Sequence, residues 1–196
     1  MIGKDVLLLQ LSGSFNLIAE RLGSKEVSQR WTELAFERAN PAGFTLWHCA
    51  RTIDWGVECA IRGVDEVARR PAWDSRISAR FRFGAGVSPS AAREVAASFS
   101  PSVVADYLEA VKTESLGWLD AQSDATLDAV PDFREHNERV DGYTDPKVWA
   151  EIEGLEGIPA WEILARPCIS HIRIHIGEVD TVLQVLASSS SSSTSR

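Results

Sequence analysis

The sequence predicts an all-α fold, a four-helix bundle with long connecting loops, on three observations. Four segments repeat apolar residues at helical spacing, strand-like alternation is almost absent, and helix start and stop signals bound those segments. The first helix covers residues 4–22, with Val6, Leu7, Leu9, Leu11, Phe15, Ile18 and Leu22 largely on one side and Gly23 as its stop. The second starts near Pro41, with Asn40 as N-cap and the proline at the first helical position, and ends at Gly63. Phe44, His48, Thr52, Trp55 and Cys59 share one of its stripes, and Leu46, Ala50, Ile53, Val57 and Ile61 cover another side. A helix apolar over so much of its circumference packs on several neighbours.

Ser100-Pro101 opens the third helix, whose buried face runs through Val104, Tyr107, Leu108, Val111, Ser115, Trp118 and Leu119. The fourth covers residues 159–187. Two long irregular stretches, 64–99 and 123–158, lie between, the first with a short helix at 89–97 capped by Ser88. Connections of that length carry function or lids. The one alternating run, residues 77–83, is short and arginine-rich. One domain therefore spans residues 1–187, and the serine-rich tail, 188–196, is expected to be disordered because it has nothing to bury.

Composition narrows the function. At 196 residues and 44 % apolar, the chain can bury a core without disulfides or metal. A net charge of −8, with no basic run, excludes the positive footprint that nucleic acid needs. Cys49, Cys59 and Cys168 are odd in number and lack CxxC spacing, which predicts free, buried thiols of a reducing compartment. The apolar run near the N-terminus has no basic region before it and no cleavage signal after it, and no stretch approaches the roughly 18–20 apolar residues of a membrane span. A cytoplasmic protein without membrane contact is expected.

The chemistry concentrates on the fourth helix. Its inward seam is Trp161, Leu164, Cys168, His171, His175, Val179, Val182 and Leu186, so two histidines stand one turn apart where leucine is expected. At that spacing both imidazoles project from one face, as metal ligands or as hydrogen-bonded core residues. His48 lies on the Phe44–Cys59 stripe of the second helix, again inward. If the two helices are neighbours, His48, His171 and His175 converge on one divalent transition metal with an open position. Neutral imidazoles are required, so metal binding competes with protons below neutral pH.

Other residues have two readings each. Glu178, three residues after His175, is a candidate general base or a hydrogen-bond acceptor at the edge of the site, or else a solvated surface group; Asp54 divides the same way. Cys168 is the better thiol candidate for a fourth ligand, against a role as core filler, since Cys49 points away from His48. His136 reads as a solvated loop side chain. Arg51 and Arg173 flank the histidines, either to hold an anion or to lie on the surface. Trp47, Trp55 and Trp161 are candidate pocket walls. Ile163, Ile169, Ile174 and Ile176 form a second apolar row that predicts a homodimer, unless the loops cover it.

Three blocks in order carry a resemblance: NPAGFTLWHCARTIDWGVECAIRG, then RFGAGVSPSAAREVAAS with SPSVVADYLEAVKTESLGWL, then WEILARPCISHIRIHIGEVDTVLQVL. Together they resemble the DinB-like superfamily of bacterial metal-binding bundles, which shares only its name with the DNA polymerase. The resemblance implies an up-down-down-up four-helix bundle, often dimeric, whose metal triad falls on His48, His171 and His175, with nickel or zinc bound. It implies a metal-dependent enzyme that activates a low-molecular-weight thiol as an S-transferase, with small-molecule substrates. The alternatives are a hydrolase activating water and a non-catalytic, stress-response metal or ligand binder.

Overall fold

The computed structural model describes residues 3–77 and 81–192, and among these it is all-helical, without strands. Helix α1 is Gly3–Leu22, followed by the short α2, Lys25–Gln29. Helix α3, Ala42–Asp54, runs on as a π-helical segment, Trp55–Ile61. After a 3₁₀ turn at Val67–Arg69 come α4, Pro89–Ser98, and α5, Pro101–Asp120. Their caps follow the sequence signals: Ser88 accepts from the Ala91 amide and Ser100 from the Val103 amide, each ahead of a proline. Helix α3 starts one residue later than expected. Pro41, with φ −63° and ψ 147°, is the N-cap, and Asn40 remains exposed outside the helix.

The second long connection is not irregular. It folds into α6, Asp124–Asp128, α7, Phe133–Glu138, α8, Pro146–Ile152, and a 3₁₀ turn at Glu153–Leu155. The last helical stretch is α9, Ala160–Ile163, a π-helical segment, Leu164–His171, and α10, Ile172–Ser192. It therefore passes the expected end at Ala187, and Ser188 and Ser189 donate back to the Gln184 and Val185 carbonyls. Residues 193–196 of the tail expected to be disordered lie outside the described residues, as do 78–80 of the alternating run.

Helix α3 is the hub. Every residue from Ala42 to Ile61 is buried, and α1, α4, α5 and α10 all pack on α3. The apolar core spans these helices, and the connections add Ile77, Phe83, Phe133, Val148 and Ile152 to it. Gly56 sets how closely the last helix approaches: a Cβ built there would lie 2.6 Å from Cys168 Sγ. Only a residue without a side chain permits that crossing, and His171 lies one turn beyond Cys168.

The π-helical segment at Leu164–His171 changes which residues face inward. Pro167 lies inside it and has no N–H to give to the helix ladder, a deficit that a wider turn accommodates. One extra residue in that turn shifts the residues before it around the axis, while Leu164 at its start stays buried. Ala160 and Ile163 are accordingly buried, while Trp161, assigned to the seam, is 40 % exposed. Downstream the expected phase holds, with Cys168, Val179 and Val182 buried and His171 and His175 half-buried. Ile163, Ile169 and Ile176 of the second apolar row are buried within the chain itself, leaving only Ile174 of that row exposed. The row is thus core, not a free face. Among the described residues no helix is long and apolar enough to cross a membrane.

Candidate metal centre

His48 reaches the site from α3, and His171 and His175 from the junction of the last π-helical segment with α10. The three lie close enough to hold a metal ion, with one nitrogen from each within 4.8 Å of the others. His171 Nε2 is the pivot, 3.2 Å from His48 Nε2 and 3.0 Å from His175 Nε2. Two nitrogens bonded to one ion at 2.0–2.1 Å stand roughly 2.9–3.4 Å apart for ligand angles between octahedral and tetrahedral. The two separations from His171 Nε2 fall in that window.

Hydrogen bonding on the far ring edges selects the tautomers. His48 Nδ1 lies 2.5 Å from the Phe83 carbonyl oxygen, which only accepts, so Nδ1 carries the hydrogen and Nε2 presents a lone pair. His175 Nδ1 lies 2.6 Å from Glu178 Oε2, which fixes the same tautomer. His171 Nε2 has a single hydrogen at most and faces both lone pairs. A metal ion satisfies all three nitrogens at once, and the carbonyl and carboxylate behind them are the partners that ligating imidazoles ordinarily have. The donor set therefore fits a divalent transition metal.

The loop carrying Phe83 has to come very near α3. Gly84 makes this approach with φ +99°, and a Cβ there would lie 3.1 Å from His48 Nδ1 and 3.0 Å from Trp47. Both the left-handed backbone and the space require glycine. Burial, and then the charge of His175, hold the His48 imidazole down to about 3; the same causes hold His171 down to about 4. Folded-state values below the ordinary ~6.5 mean that the unfolded chain takes up these protons first. Stability of the metal-free protein is therefore full above about pH 6.5 and falls as pH drops towards 4. Urea midpoints measured from pH 7.5 to 4.5 will decline, and the decline will shrink in His48→Leu. The same depression moves proton competition for metal well below neutral pH.

Glu178 bonds the ring edge opposite the metal-facing nitrogen, with its side chain half exposed. Asp54 and Arg51 sit elsewhere than expected. Both are fully buried, in a network separate from the imidazoles. Arg51 pairs with Asp54 at 2.9 Å and Glu66 at 3.2 Å, and donates to the Tyr107 hydroxyl and the Arg82 carbonyl. Tyr107 donates to Asp54 and Tyr143 to Glu66, while the Val67 and Ala68 amides complete Asp54. Burial pushes the Asp54 carboxyl up to about 6, against the pull of Arg51. Arg51 is thus neither an anion site nor a surface residue. Arg173, exposed, donates to Gln10 Oε1.

The cysteines are free and buried, as expected, and none joins the histidines. Burial pushes the Cys168 thiol up to about 12, and its sulfur fills the crossing beside Gly56. His136 is not a solvated loop side chain. It is half-buried on α7, Nδ1 bonded to the Ala60 carbonyl at 3.1 Å and the ring against Gly63.

A cavity of about 570 Å³ opens onto the three histidines. Phe44, Thr52, Trp55, Phe83, Leu155 and Ile174 are among its walls. Of Trp47, Trp55 and Trp161, only Trp55 lines it. Trp47 lies behind, its indole N–H on the Ile77 carbonyl at 3.0 Å. Phe83, Gly84 and Glu66 carried no signal as site or support residues, because their roles arise from a backbone carbonyl, a close approach and a distant partner. No protein-family model matches the chain, and no curated protein matches it.

Proposed function

We propose that the chain is a DinB-like four-helix bundle whose His48, His171 and His175 hold one zinc or nickel ion, and that it acts as a metal-dependent S-transferase on a small molecule. The observation that carries this reading is the tri-histidine cluster lining a 570 Å³ cavity. Three protein ligands leave an open position, the arrangement of catalytic rather than structural sites. A metal held there would lower the pKa of a bound low-molecular-weight thiol so that its thiolate forms near neutral pH.

The residues of the chain do the rest. Phe83 and Glu178 fix the ring orientations, and Phe44, Trp55 and Leu155 exclude water from the inner wall. Glu178 is a positioning residue in this reading. Of the carboxylates near the cavity, Glu178 bonds His175 and Glu151 accepts from the Gly86 amide at 2.9 Å. That favours thiol activation, which needs no base beyond the metal, over a hydrolase with a free carboxylate to steer water.

Protein purified without a histidine tag should contain one zinc or nickel per chain. The cobalt-substituted form should develop a thiolate-to-metal absorption band on titration with 2-mercaptoethanol. Absence of stoichiometric metal would reduce the histidines to core residues. Metal without a thiolate band, or turnover of ester or amide substrates with water alone, would replace the transferase by a binder or a hydrolase.

A further inference from the structure

Thr52 lies one turn along α3 from His48, on the same stripe, and lines the cavity with the three histidines. It is 98 % buried in the sense that its relative exposure is 2 %, and its hydroxyl has no hydrogen-bond partner in the protein. Among the described residues Ser115 Oγ and Arg82 Nε are also buried without a partner, but neither residue lines this cavity. Thr45 on the same helix bonds back to the Pro41 carbonyl, and Ser170, Thr113 and Thr181 bond back to Arg166, Glu109 and Gly177. Neighbouring polar groups on the cavity wall are also engaged: Ser170 as above, Glu151 with the Gly86 amide and Arg166 with the Gly154 carbonyl.

A buried hydroxyl without a partner is destabilising, and its burial is compensated when something enters to bond it. We infer that Thr52 is a specificity-determining contact: its hydroxyl donates to the small molecule that occupies the cavity, at an acceptor atom beside the metal, a thiolate or a small oxyanion. A hydroxyl can donate to such an atom, whereas a methyl group in its place cannot. The inference rests on the metal-centre reading of His48, His171 and His175.

The test uses the full chain loaded with cobalt, as wild type, Thr52→Val and Thr52→Ser, with ligand-field spectra, metal content and thermal midpoints as readouts. The probes are 2-mercaptoethanol for the thiolate and acetate for the oxyanion. All three proteins should bind one cobalt per chain. Thr52→Val should melt no lower than wild type, since it removes an unbonded hydroxyl, yet bind its preferred probe about tenfold more weakly, the worth of one hydrogen bond to a charged acceptor. Thr52→Ser should restore affinity to within about threefold, a difference of roughly 0.65 kcal/mol. The probe that loses affinity identifies the ligand as thiolate or oxyanion. Equal probe affinity in Thr52→Val and wild type, or a lower melting midpoint in Thr52→Val that reveals an internal partner, overturns the assignment and leaves the metal centre standing. Failure of wild type to bind cobalt overturns both.

Discussion

Replacing His171 by alanine should reduce bound metal from one per chain to a small fraction, with the helical circular dichroism essentially unchanged. His171 is the histidine that the other two meet, 3.2 and 3.0 Å away through Nε2. Binding energies of roughly 10–16 kcal/mol for four-ligand structural zinc amount to about 3–4 kcal/mol per ligand, so removing one costs on the order of 10²–10³ in affinity. The fold does not depend on that ligand. His171 is half-buried at the cavity, whereas the core around α3 is apolar and continuous from Leu11 to Leu183. His48→Ala should match it in metal content. Glu178→Gln, which keeps the ligand but weakens its support, should fall in between, with a roughly 10–100-fold loss. Competition with a chromophoric chelator reads all three variants. Full occupancy in His171→Ala would remove the triad, and an unchanged Glu178→Gln would remove the positioning role of the carboxylate.

The histidine triad was legible because its members stand on largely apolar stripes, His48 with Phe44, Trp55 and Cys59, and His171 and His175 with Leu164, Cys168, Val179 and Val182. That pattern survives in the structure wherever the helix keeps its ordinary period. It fails at Trp161, where the π-helical turn around Pro167 shifts the phase, and a count of residues cannot register a widened turn. Arg51 shows a different limit. An arginine inside a helix buried on every side signals an internal partner, but Glu66 and the tyrosines come from other elements that helix periodicity does not place. The short helices α6, α7 and α8 are invisible to periodicity because their five to seven residues are too few to show a period. Their order comes from packing: Phe133, Val148 and Ile152 are anchored in the common core.

That internal network supports the second large effect. Arg51→Met should destabilise the protein by about 3–5 kcal/mol, because Asp54 and Glu66 then remain buried without their cation. For a chain of this size that is a fall of roughly 6–20 °C in melting midpoint. Arg69, on Glu66 at 3.1 Å and partly exposed, neutralises only one of the two carboxylates. Losing Arg51 also removes the force that holds Asp54 below the value burial alone would set, so its folded-state pKa rises further above the ordinary ~3.9. A carboxylate raised in the folded state stabilises when protonated and loses that contribution as pH increases through its folded value. The deficit of Arg51→Met must therefore be larger at pH 8 than at pH 5, and adding Asp54→Asn and Glu66→Gln should recover part of it. Because Arg51 also bonds the Arg82 carbonyl, next to the Phe83 carbonyl on His48, the substitution loosens the support of a metal ligand as well. The triple variant leaves no buried carboxylate without a cation, with only the partly exposed Arg69 unpaired, but does not regain that bond, so its metal affinity should stay reduced after its stability has partly returned. A loss of stability independent of pH would mean that Arg51 acts through packing, and metal affinity equal to wild type in the triple variant would separate the network from the metal centre.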